Sequence, residues 1–132
     1  MSATMTQTAR PFTALDGHKY MNLTTFRKSG DGVVTPVWFA EDGGRLYVMT
    51  QMSAGKTKRI RNTGRVEVAP ADRAGKPLGA SLPGQARLLT GAEADAANAR
   101  LSKKYGLMKR MFELMGVARK NGRVFIEITP VV

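Results

Sequence analysis

Short runs of alternating apolar and polar residues, broken by glycine-rich turns, make up most of the chain. Residues 19–27 (KYMNLTTFR) are rich in aromatic and β-branched types and predict a strand. Lys28-Ser29-Gly30-Asp31-Gly32 is a turn. A second strand follows over 33–40 (VVTPVWFA), where Pro36 removes one ladder donor and predicts a bulge or an open edge. Glu41-Asp42-Gly43-Gly44 predicts a hairpin into a third strand over 45–50 (RLYVMT), so the front half opens as an antiparallel meander. The period then changes. Residues 53–64 (SAGKTKRIRNTG) predict a short helix with Ser53 as N-cap and Gly64 as stop, in which Ile60 is the only large apolar residue. Strands are expected again at 65–70 (RVEVAP) and 84–91 (GQARLLTG), around a Gly/Pro/Asp-rich loop from Ala71 to Pro83.

An Ala-rich helix is expected from Glu93 to Tyr105, with Thr90 or Gly91 at its start and Gly106 at its end, continuing for a turn or two over 107–115. Tyr105, Met108, Met111, Phe112 and Met115 form an apolar stripe at helical spacing, suited to core or subunit packing or to a greasy substrate. In the last strand, 122–129, Val124, Ile126 and Ile128 alternate with Arg123, Phe125 and Glu127. Residues 12–18 suggest a short lead-in turn or helix around Leu15, and residues 1–11 a loose tail. About six antiparallel strands with few helices predict a mainly β small barrel, not a doubly wound sheet. The 132 residues fit one domain, placed at 12–132.

Composition narrows the chemistry. With no Cys and only His18, a thiolate zinc site, a cysteine nucleophile and a histidine-based triad are set aside, and no metal site is expected. No apolar run approaches the roughly 20 residues that span a bilayer, and the N-terminus lacks an apolar signal core, so a cytoplasmic protein without membrane contact is expected. The formal net charge is +11, which points to an anionic partner. Lys56, Lys58, Arg59, Arg61 and Arg65 crowd residues 54–66 with no acid among them. A second basic segment spans 100–123, where only Glu113 is acidic. Lys56 and Arg59, three apart, share one helix face, and a helix start adds free N–H groups for an anion. The same residues also fit a solvated basic face with no ligand.

Taken in order, Thr35-Pro36-Val37-Trp38-Phe39, a glycine hairpin, Leu46-Tyr47-Val48, a Thr leading into the Ser53-to-Ile60 basic helix, and Arg65-Val66-Glu67-Val68 resemble the split β-barrel flavin/deazaflavin oxidoreductase family. That family includes pyridoxamine 5′-phosphate oxidase and the F420-dependent reductases. The resemblance covers roughly residues 18–91 and implies an FMN-binding-protein-like split barrel, a homodimer with the cofactor site at the subunit interface, and a small organic acceptor.

By similarity, Lys56 is the phosphate ligand, six residues after Thr50, and Lys58 falls at the next basic position. The oxidase carries an Arg where this chain has Gly55, a departure that counts against tight FMN binding. Thr35, Pro36, Val37 and Trp38 would line the flavin ring, Thr50 and Gln51 would lie on the phosphate side, Arg59 would join the basic cluster, and Gln85 matches a ring-contacting Gln. Trp38 and Phe39 point to opposite faces, so only one of them can stack on a cofactor. The charge total and the second basic segment favour F420, with its phosphodiester and polyglutamate tail, over FMN. The chain ends Ile128-Thr129-Pro130-Val131-Val132 without the oxidase's Arg-x-His signature, which sets aside pyridoxamine phosphate as substrate. The implied reaction is hydride transfer from reduced deazaflavin to an acceptor. No catalytic residue is assigned, and Tyr47, Lys56 or solvent could supply a proton.

Two other classes fit part of the pattern. A non-catalytic member of the family would bind a flavin, deazaflavin or haem-like ligand without turnover. A nucleic-acid-binding barrel would use basic charge with strand aromatics. Against the latter, Tyr20, Phe26, Trp38, Phe39 and Tyr47 lie among apolar neighbours while the cations concentrate on helices.

Overall fold

The computed structural model describes residues 12–51, 54–106 and 123–131. The strands are β1 (Tyr20–Phe26), β2 (Gly32–Asp42), β3 (Arg45–Gln51), β4 (Arg65–Ala71), β5 (Leu82–Leu89) and β6 (Arg123–Pro130). The helices are α1 (Gly55–Asn62) and α2 (Gly91–Tyr105), with a single 3-10 turn at Thr13–Leu15. The strands close into an antiparallel barrel in the order β1-β2-β3-β6-β5-β4, the mainly β architecture that the alternation predicts. Tail 1–11, Ser53, the helical extension at 107–115 and the methionines of its stripe lie outside the described residues. No helix among the described residues is long and apolar enough to cross a membrane.

Period-2 alternation fills the barrel. Met21 and Leu23 from β1, Val37 and Phe39 from β2, Leu46 and Val48 from β3, Val66 and Val68 from β4, and Ile126 and Ile128 from β6 meet in one core. Phe12 and Leu15 join it from the lead-in turn, and Ile60 from α1. A second apolar layer lies outside the barrel. There Ala97, Leu101 and Tyr105 of α2 cover Ala40, Tyr47 and Phe125. That cover explains why β6 is buried on both faces despite its alternation, Phe125 and Glu127 included. Glu127 is tolerated there because Tyr47 donates to it at 3.2 Å and Arg87 Nε at 2.9 Å, with Arg45 3.6 Å away.

The β2–β3 hairpin turns through Gly43 and Gly44, with φ of +63° and +79°, values that favour glycine and suit a two-residue hairpin. The proline expectation resolves toward the open edge. Pairing of β1 with β2 runs without a bulge from Tyr20↔Trp38 through Asn22↔Pro36 to Phe26↔Gly32. Across Gly32–Trp38, β2 has a partner on that side only, and an open edge is where a strand accommodates proline.

Other boundaries shift. Helix α1 starts at Gly55, with Ala54 at the N-cap position and no side-chain cap, and the extended residue Thr63 ends it before Gly64. Strand β5 starts two residues earlier than its pattern suggests and α2 begins at Gly91. The 71–83 loop is an ordered turn. Asp72 Oδ1 accepts the N–H groups of Ala74 and Lys76, both at 2.9 Å, and Asn22 Nδ2 on β1 donates to the Gly75 carbonyl at 2.8 Å.

Candidate functional site

The barrel has a split. Strand β3 pairs with β2 only across Phe39–Asp42, while Met49, Thr50 and Gln51 pair with β6 alone. Below that short ladder the two strands part company. Residues of the same parity as Val37 and Leu46 face inward, which turns Thr35 and Thr50 toward the opening from its two sides. Thr35 Oγ1 is buried and has no hydrogen-bond partner among the described residues.

The chain leaves β3 at this end and enters α1, which packs against β1 and β5. Only Thr57 and Ile60 of this helix are buried, three apart on one face. The remaining positions are polar or basic. Arg59 and Arg61 in the last turn suit the negative end of the helix dipole, but Lys56 sits in the first turn, where a cation opposes it and no acid offsets it. Lys56 is held below the usual lysine range by burial and by the neighbouring Arg59 charge. Arg59 is anchored, its Nε donating to Thr25 Oγ1 at 2.6 Å. Neither cation pairs with a carboxylate among the described residues. Two half-buried like charges side by side on a short helix do not serve helix stability, and chemically such a pair at a helix start could hold an anion.

The residues named from sequence separate into three groups. Thr35 and Thr50 lie on the two strands that part at the split, and Lys56 and Arg59 on the helix that follows β3, where Arg59 reaches Thr25 of β1. Lys58 is exposed on the far side of α1, and Gln51 ends β3. Val37 is buried in the barrel core, so only its backbone is free for a ligand. Pro36 is exposed on the outer face, and Trp38 stacks on Tyr105 with ring centroids 4.6 Å apart and planes at 10°. Phe39 is the core partner of the Trp38–Phe39 pair. Gln85 is exposed on the outer face of β5, opposite in parity to Gly84 and Ala86, and lies against Gly64, not the opening. Tyr47 likewise faces out, under α2, with its hydroxyl committed to Glu127 and its ionisation pushed up by burial, which removes it from the neighbourhood of the split.

Thr25, which no motif flagged, holds Arg59 at the site, and Tyr105, read from sequence only as part of an apolar stripe, makes polar contacts as well. Thr25 is a polar residue at an inward position of β1, and parity alone marks it as unusual. Tyr105 holds the opposite end. Pairing of β1 with β2 stops at Tyr20↔Trp38, and the Tyr105 hydroxyl enters where the next pair would form. It accepts the Phe39 N–H at 2.9 Å and lies 2.6 Å from the Lys19 carbonyl and 2.8 Å from the Phe39 carbonyl, to one of which it donates. Such long-range contacts leave no local sequence signal.

A family model described as pyridoxamine 5′-phosphate oxidase matches residues 5–132. The chain belongs to the pyridoxamine 5′-phosphate oxidase family. Solved structures agree on the fold. An F420 reductase is 21% identical, with a TM-score of 0.58 over 94% of this chain and 90% of its own. A pyridoxamine 5′-phosphate oxidase-related, FMN-binding protein from Nostoc punctiforme is 16% identical, with a TM-score of 0.59 over 86% of this chain and 71% of its own. The haem-storage protein HutZ from Vibrio cholerae is 14% identical, with a TM-score of 0.68 over 88% and 84%. No curated protein matches the sequence. At these identities the structural likeness carries the architecture alone, a scaffold that hosts different ligands in different members.

Proposed function

We propose that the protein is an F420-dependent oxidoreductase that passes a hydride between reduced deazaflavin and a small organic acceptor. The observation that carries this reading is the half-buried Lys56–Arg59 pair on the helix that follows β3, without a carboxylate partner among the described residues. Lys56 and Arg59 would hold the phosphodiester, and the Thr35 hydroxyl, buried and unbonded, would meet a polar edge of the ring. The deazaflavin supplies the hydride chemistry when bound. The chain's own part is to bind, orient and exclude water. The net charge of +11 favours a ligand with a polyanionic tail.

FMN is the second reading, because a two-cation cradle also matches one phosphate, and an FMN-binding protein shares the fold. A homodimer belongs to the same proposal. The unpartnered edge of β2 and the exposed Val34 on it offer a surface for a second copy. The test is a fluorescence titration of the purified protein with F420 and, separately, FMN at two salt concentrations. Low-micromolar F420 binding that weakens with salt and with Lys56→Ala supports the reading. Tight FMN binding without F420 binding moves the protein to the flavin reading. Binding of neither overturns both and makes nucleic acid the next ligand to test.

A further inference from the structure

Gly55 stands at the start of α1 with an ordinary helical backbone, so no left-handed conformation calls for glycine there. The space beside it does. A Cβ placed on Gly55 would lie 2.7 Å from Arg59 Nη1, 3.4 Å from Cζ and 3.5 Å from Nη2. The Arg59 side chain therefore runs back along the helix and lays its guanidinium over the bare backbone of the first turn. Thr25 Oγ1 holds Nε at 2.6 Å, which restrains the fork and leaves the two Nη groups without a hydrogen-bond partner among the described residues, close to Lys56.

We propose that Gly55 is a positioning residue for the anion site, its missing side chain being what lets the Arg59 guanidinium reach the first turn of α1 and form one cradle with Lys56. The inference rests on the anion reading of this site and adds the device that sets its geometry. An Arg fork held at Nε presents two parallel donors to a phosphate, which a freely rotating side chain does not. Thr25 is the second positioning residue, acting through the same guanidinium.

The obstruction is the tip of a flexible side chain, so Gly55→Ala displaces Arg59 without distorting the backbone. Alanine also propagates a helix better than glycine. The variant is thus expected to fold at least as well as the parent and to bind worse. The full-length protein is titrated with FMN and with F420 as wild type, Gly55→Ala, Arg59→Gln and the double variant, with thermal melting of each. The expected result is a loss of about tenfold in affinity for either single variant, the scale of one charge-assisted hydrogen bond. The double variant should be no weaker than Arg59→Gln alone, and the melting temperature of Gly55→Ala should equal or exceed that of wild type. Wild-type affinity in Gly55→Ala, or losses that add in the double variant, would overturn the inference and leave the anion reading standing.

The Lys56 amine gives a readout that needs no cofactor. Its NMR titration should move up toward the ordinary lysine range in Gly55→Ala, as it does in Arg59→Gln, because its cationic neighbour has been pushed away. An unmoved Lys56 in Gly55→Ala overturns the inference even where neither cofactor binds. Failure of the wild type to bind either cofactor, with Lys56 moving as expected, overturns the functional reading alone.

Discussion

The two helices both carry basic residues and use them differently. On α2, Arg100 and Lys104 are engaged by the protein itself. Arg100 Nε donates to Asp42 at 2.6 Å and its guanidinium lies over the Tyr47 ring, while Lys104 Nζ donates to the His18 carbonyl at 2.7 Å and sits 3.6 Å from the Phe39 ring centroid. Leu101 and Tyr105 then seal that side of the barrel. On α1, Lys56 and Arg59 have no acidic partner among the described residues, and the helix rests on Thr57 and Ile60. Counting basic residues cannot separate these roles. The presence or absence of an internal partner does, since an engaged cation supports the fold and a half-buried unengaged one is available to a ligand.

The difference can be broken at its strong end first. Leu101→Ala removes a side chain that is 1% exposed and should destabilise by about 2–5 kcal/mol, read by denaturant unfolding, with ligand affinity of the folded fraction unchanged. Tyr105→Phe deletes the hydroxyl that bridges β1 and β2 and strands a buried Phe39 N–H. A loss of about 1–3 kcal/mol is expected in the same measurement. Lys56→Ala should reverse the pattern. Stability should hold or rise slightly as like-charge repulsion is relieved, while affinity for F420 falls about tenfold, near 1.4 kcal/mol, by titration.

The smallest effect is a pH dependence at Lys104. Burial pushes its amine down to about 8 from 10.5, against the opposing pull of Glu41 and Asp16. Between those values the unfolded chain holds a proton that the folded chain has released. The stability of wild type relative to Lys104→Met should therefore rise with pH from about 8 to 10.5, as followed by urea midpoints across that range. A flat difference would mean that Lys104 is solvated like an ordinary surface lysine.

The strands were readable because each has a covered face that alternation marks, and the two hairpin glycines signal their own turn. Register and strand order were not, since no local pattern states that β3 leaves β2 after four pairs or that β6 follows β3 around the barrel. The basic helix and its Lys56–Arg59 spacing were visible from residue types alone. Their anchor was hidden, because Thr25 lies 34 positions from Arg59 in the chain. For Gln85 the sequence offered a motif match, and the structure adds its place on the outer face of β5, opposite in parity to Gly84 and Ala86.

The most direct measurement is the titration of the Lys56 ammonium by NMR, with and without F420. The expected result is a pKa below the ordinary lysine range in the free protein, rising when the ligand's phosphodiester supplies the missing counter-charge. A Lys56 that titrates like a free lysine and is unmoved by saturating F420 would contradict the assignment of the barrel split as an anion site.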